Sequence, residues 1–110
     1  MTKSHMKLFD WWWNNMKEII ISSYDGGYFW SISSANTIYN RNDYVDNKIH
    51  KTPILELCKF VDEEFWKATD SQIVAKVIQL FPNCEKIIIC DDGDITIKNL
   101  RKGGKRNGNQ

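Results

Sequence analysis

No apolar run in this chain approaches 18 residues, so no segment is expected to cross a membrane as a helix. The opening residues, Met-Thr-Lys-Ser-His-Met-Lys, lack the continuous apolar stretch of a secretory signal. Cytoplasm is the expected compartment. Ser4-His5-Met6 has the form of a cloning remnant, and residues 1–6 are set apart from the fold for that reason.

Cysteine occurs three times, as Cys58, Cys84 and Cys90, an odd count with no Cys-x-x-Cys pair. That argues against a disulfide framework. With only His5 and His50 to add, it argues against a four-ligand zinc site as well. No metal or other cofactor is expected. Cys58 and Cys90 lie in apolar runs and read as small core residues.

Catalytic parts are equally sparse. There is no Gly-x-Ser-x-Gly stretch, and His50, in a polar segment, is the one credible base for a nucleophile. Thiols in apolar runs are held protonated and inert. Gly26-Gly27 and Gly103-Gly104 have neither the spacing nor the following helix of a phosphate-binding loop. Asp91, Asp92 and Asp94 surround Gly93, but the further acids and distal glutamate of a calcium loop are missing. Asp25 followed by Asp46-Asn47-Lys48 loosely meets the acid, acid-x-Lys spacing of small metal-dependent nucleases, which needs the second part on a strand. No constellation predicts an enzyme.

What is abundant tells more about origin and surface. Ile, Lys and Asn number 14, 12 and 10, while Ala, Arg and Pro number 3, 3 and 2. AT-rich coding DNA, as in mobile bacterial or phage genes, produces that bias. Aromatic residues make up 13%, with five Trp, three of them consecutive at Trp11, Trp12 and Trp13. Charge is divided unevenly. Residues 101–110 carry four positive charges and no negative one, which leaves 11 basic and 14 acidic residues, net −3, on the other hundred.

The segment from Thr52 to Trp66 organises the expected fold. Ile54, Leu57, Cys58, Val61 and Phe65 recur at helical spacing, Pro53 suits the first helical position, and Thr52 is the expected N-cap. A second helix runs from Asp70 or Ser71, with Ile73, Val74, Val77, Ile78 and Phe81 on its apolar face, until Pro82 stops it. A short helix is expected over Lys7–Lys17, where Leu8, Trp12 and Met16 share a face. Two β-hairpins turn at Asp-Gly: residues 18–33 around Asp25-Gly26, and residues 86–99 around Asp92-Gly93. Thr37-Ile38-Tyr39 adds a third strand to the first hairpin, and residues 40–51 read as a long loop. Three isoleucines in a row in each hairpin, Ile19–Ile21 and Ile87–Ile89, suggest strands buried on both faces.

The expected fold is therefore α+β. One domain over residues 7–100 carries an antiparallel sheet of two β-hairpins plus a third strand. The N-terminal helix and two central helices pack on one of its faces, and a disordered basic tail follows over 101–110.

Two features suggest contact with other molecules. Asp62, Glu63 and Glu64 beside Trp66 suit a basic partner, since charge steers the encounter and an aromatic side chain anchors it. Asp91, Asp92 and Asp94 would add to that field if they lie nearby, and an exposed Trp13 would add an anchor. The expectation is an immunity or inhibitor protein that neutralises a toxin or defence enzyme, such as a basic nuclease. The alternative is a nucleic-acid-binding accessory protein, using the basic tail and bases stacked on the aromatic first hairpin. A small nuclease comes third. No contact with a membrane is expected.

Overall fold

The computed structural model describes residues 16–34 and 36–100. Of the helix expected over residues 7–17, residues 7–15 lie outside the described residues, as do Trp13 and the tail at 101–110, while Met16 and Lys17 are not helical. Five strands, β1 (Glu18–Tyr24), β2 (Phe29–Ser34), β3 (Thr37–Asn40), β4 (Lys86–Asp91) and β5 (Asp94–Asn99), form one sheet in the order β3-β2-β1-β4-β5. Between β3 and β4 the chain makes three helices, α1 (Arg41–Val45), α2 (Thr52–Glu64) and α3 (Asp70–Leu80). Among the described residues no helix is long and apolar enough to cross a membrane.

Both hairpins form as the turn chemistry predicts. Asp25, Gly26 and Gly27 take φ of 53°, 65° and 97°, and Asp92-Gly93 takes 50° and 96°, values that glycine and aspartate tolerate best. The sheet is mixed, not purely antiparallel. β1 and β4 run parallel at its centre, with Ile19 opposite Ile87 and Ile21 opposite Ile89. Turn rules fix direction within a hairpin. The direction of one hairpin against the other is set by the helical crossover between them, on which no local turn acts.

Ile19, Ile21, Trp30, Ile32, Ile87 and Ile89 alternate onto one sheet face and are buried there. They join Ile54, Leu57, Cys58, Val61 and Phe65 of the central helix segment, and Ile73, Val77 and Phe81 of the next, in one core. The other face is more open. Ile20 and Ile88, the middle residues of the two runs, are half-buried there, and Ile38, Ile95 and Ile97 are exposed. Cys84 is a core residue and Cys90 is half-exposed, which corrects the expectation for Cys90.

The helix starts differ from expectation in three places. Lys51, not Thr52, is the N-cap of α2, without a side-chain capping bond; Pro53 lies in the first turn, one position after the expected first one. For α3 the cap is Thr69. Its hydroxyl accepts from Gln72 N–H while Gln72 Oε1 accepts from Thr69 N–H, a reciprocal pair that satisfies two end groups. The expected loop at 40–51 contains α1, begun by the same device between Asn40 and Asp43.

Candidate functional site

The carboxyl ends of the central parallel strands meet at the β1–β2 turn, and charged and aromatic side chains collect there. β1 ends at Tyr24, paired with Phe29 across the hairpin. Asp92 N–H donates to Ser23 O at 2.9 Å, and Asp92 Oδ1 accepts from Asp25 N–H at 2.9 Å. These two bonds lock the β4–β5 turn against the β1–β2 turn, so Asp25, Asp91, Asp92 and Asp94 occupy one end of the sheet.

The 3-10 turn at Phe65–Lys67, which follows α2, packs against the same turn. A Cβ on Gly27 would lie 3.7 Å from Trp66 Cβ, an ordinary contact, so Trp66 packs beside this glycine and what glycine itself supplies is the φ of +97°. Trp66 is 65% exposed, and its indole N–H donates to Glu63 O at 3.2 Å. Lys67 Nζ stands 5.6 Å from its ring and pairs with Glu64 at 3.3 Å. Tyr24, Tyr28 and Phe29, which flank the same turn in the chain, are exposed as well, with Tyr28 and Phe29 edge to face at 4.8 Å. Single exposed apolar residues need no explanation; four large aromatics around one turn do.

The sequence-derived residues therefore divide. Trp66, Asp91, Asp92 and Asp94 come to the same end of the molecule, joined through Gly27 and Asp25. Glu63 and Glu64 line a groove on the outer surface of α2 and α3 with Glu56, Lys59, Phe60 and Lys76. Asp62 turns inward. Its Oδ1 accepts from Trp30 Nε1 at 2.9 Å and from Arg41 Nε at 3.0 Å, clamping α2 to β2 and α1. Tyr24 and Arg41 escaped the sequence reading, in which Asp25 figured only in the hairpin turn and the nuclease spacing and Tyr28 only among the aromatic residues of the first hairpin. The one available signal was the aromatic bracket around the turn, Tyr24-Asp25-Gly26-Gly27-Tyr28.

Arg41 also holds its guanidinium 5.2 Å from the Tyr28 ring centre. With Tyr24, Phe29, Trp30, Ser31, Asn40 and Asn42 it lines a corner cleft of about 260 Å³. Among the described residues no group of three or more His, Cys, Asp or Glu side chains is placed to hold a metal ion. Asp46-Asn47-Lys48 follows the end of α1 in a turn, with Asn47 at φ 57°, and is not on a strand as the nuclease pattern requires.

Ser23 sits under this end. Its hydroxyl is buried, without a hydrogen-bond partner among the described residues, 4.0 Å from a Cβ placed on Gly27. An unpaired buried hydroxyl costs stability, whereas a methyl in its place costs little. Ser23→Ala is expected to leave thermal stability unchanged or raise it by up to about 1 kcal/mol. A clear loss in a melting experiment would mean that the hydroxyl is paired in solution.

The cysteines yield a second prediction. Burial pushes the Cys58 thiol from 9.0 up to about 12, with Asp43 and Asp62 adding to it, and burial also raises Cys84. Below about pH 9 both folded and unfolded chains keep these protons, and the thiols leave stability unaffected. Above it the unfolded chain ionises first, so stability falls as pH rises through that window, by at most about 1.4 kcal/mol per pH unit for each thiol. Melting temperatures from pH 8 to 11 check this, and a flat profile would contradict it. A thiol reagent at pH 8 should label Cys90 first, and Cys58 and Cys84 on the timescale of unfolding.

Comparison with protein-family models, curated proteins and solved structures finds no match to this chain.

Proposed function

We propose that this protein acts by binding another protein, as a small immunity or inhibitor protein of bacterial or phage origin that neutralises a toxin or defence enzyme such as a basic nuclease. The observation that carries this reading is that one end of the sheet holds both Asp25, Asp91, Asp92 and Asp94 and the exposed rings of Trp66, Tyr24, Tyr28 and Phe29. Carboxylates around exposed aromatic rings suit a basic surface. The charges raise the rate of encounter, and a large ring that becomes fully desolvated supplies most of the affinity. Against a nuclease, the same carboxylates would compete with the phosphates of its substrate.

The test is capture from the native host's lysate, with nuclease treatment, followed by assay of the captured enzyme. One stoichiometric protein should survive the treatment and lose activity when the purified chain is added back. Trp66→Ala should weaken that complex by about 2 kcal/mol or more. Lys59→Ala, on the outer face of α2, should not. Capture that ignores Trp66, or a captured protein that keeps its activity, would reject the reading.

The corner cleft favours a second reading, nucleic-acid binding. The exposed rings of Tyr24 and Phe29, with Arg41, around about 260 Å³ can take a stacked base. The basic residues at 101–110 would add a salt-sensitive contribution. Binding of single-stranded oligonucleotide that falls steeply with salt, and with Phe29→Ala, would favour this reading over the first.

A further inference from the structure

The two edges of the sheet are unlike. β3 is four residues long and runs directly into α1. β5 is six residues long, Asp-Ile-Thr-Ile-Lys-Asn, with no proline to blunt it and both isoleucines exposed. Edges of that kind pair with other strands unless protected.

The register of β5 against β4 shows what it offers. The two-residue turn makes Asp91 and Asp94 a hydrogen-bonded pair, and hydrogen-bonded positions then alternate along the ladder. Asp94, Thr96 and Lys98 therefore turn their main-chain groups toward β4. Ile95, Ile97 and Asn99 turn theirs outward, free to join another strand.

We propose that β5 pairs antiparallel with β5 of a second copy of this chain about a twofold axis at Thr96. The strand is self-complementary in that register. Thr96 faces Thr96 of the second copy, and Ile95 of each copy exchanges main-chain bonds with Ile97 of the other. Asp94 of each copy stands opposite Lys98 of the other, on the same face as Thr96. Neither Asp94 nor Lys98 has an ion-pair partner among the described residues. Centring the axis on Ile95 would set Asp94 against Thr96, and centring it on Ile97 would set Lys98 against Thr96. The charges thus select one register among those that the outward main-chain groups permit.

Pairing joins two five-stranded sheets into one. On the open face the row Ile38, Ser33, Ile20, Ile88 and Ile97 continues into Ile95 and Cys90 of the second copy. An isologous contact of this kind closes at the dimer, because it uses the same edge of both chains, and the short β3 edges stay outermost. The antiparallel arrangement sends the two acidic, aromatic ends to opposite ends of the joined sheet. Asp94 is drawn into the dimer contact there, while Asp25, Asp91 and Asp92 stay available to a partner. An edge of six residues buries less surface than a standard stable interface, so the dimer is weak and depends on concentration.

Sedimentation of the full chain from about 5 µM to about 500 µM tests the proposal, a range chosen for a dimer of this size. The expected result is a mass that rises from 12.9 kDa toward twice that value. Asp94→Lys and Lys98→Asp should each weaken dimerisation at least about tenfold, since each sets like charges opposite one another twice. The double variant Asp94→Lys/Lys98→Asp should restore it. Ile95→Pro removes an outward N–H that β4 does not use, so it should abolish the dimer and leave the circular dichroism of the fold in place. A chain that stays monomeric throughout overturns the proposal. So does a dimer that the single charge reversals leave intact, or one that the double variant fails to restore.

Discussion

Ile21→Ala is expected to lower the stability of this domain by about 3–4 kcal/mol, measured by denaturant unfolding. Ile21 occupies the middle of the central strand. It faces Ile32 on one side and Ile89 on the other, and all three are buried on the same sheet face. Removing its outer carbons loses their transfer free energy. It also leaves a cavity that a five-stranded sheet braced by two helices cannot collapse to fill. A domain of this size has about 5–15 kcal/mol in total, so the loss is a large fraction of it. The same substitution at Ile38, 65% exposed on the edge strand, should cost no more than about 0.5 kcal/mol. Similar losses at the two sites would mean that the open face is buried in solution.

That contrast between identical residues is one that sequence pattern half reveals. The alternation Trp30, Ile32 and the stripe Ile54, Leu57, Cys58, Val61, Phe65 were legible, because period 2 and period 3.6 are local properties and all of these residues are buried. Asp-Gly marked both hairpin turns for a local reason too, the tolerance of those residues for positive φ. Some local signals were present and were not used. Thr69-x-x-Gln72 and Asn40-x-x-Asp43 both have capping-box spacing, which marks the starts of α3 and of the short α1 more sharply than apolar content does. Other features had no local signal at all. The parallel match of Ile19–Ile21 with Ile87–Ile89 joins segments nearly seventy residues apart, and the bond from Asp25 N–H to Asp92 has the same reach. The candidate site depends on that second kind of contact. Trp66 and the Asp91–Asp94 turn could each be picked out from sequence, while their packing on the same β1–β2 turn, Trp66 at Gly27 and Asp92 at Ser23 and Asp25, could not.

Asp62 gives the clearest case of a residue whose environment changes its meaning, and Asp62→Ala is expected to cost about 2–3 kcal/mol of stability. As one of three consecutive acids it reads as part of a solvated docking face. In the fold its Oδ1 receives both the Trp30 indole N–H and Arg41 Nε. These two bonds are not equal in weight. Arg41 is 35% exposed at its side chain, so water screens the ion pair and compensates much of its loss, and the pair itself is worth less than about 1 kcal/mol. Trp30 is 3% exposed, and its N–H has no other acceptor among its hydrogen bonds here. Leaving that donor buried and unpaired is the larger cost. A double-mutant cycle separates the two contributions. In a Trp30→Phe background the orphaned donor is gone, and Asp62→Ala should then cost less than about 1 kcal/mol. In an Arg41→Ala background it should keep most of its effect. If the Arg41 background abolishes the cost instead, the ion pair is the clamp and the indole bond is secondary. Asp62→Asn keeps an oxygen for the indole N–H and loses only the charge, so it should fall well short of the alanine loss. Any drop in partner binding on replacing Asp62 should then follow the loss of folded protein. Trp66→Ala should reduce binding while the protein stays folded.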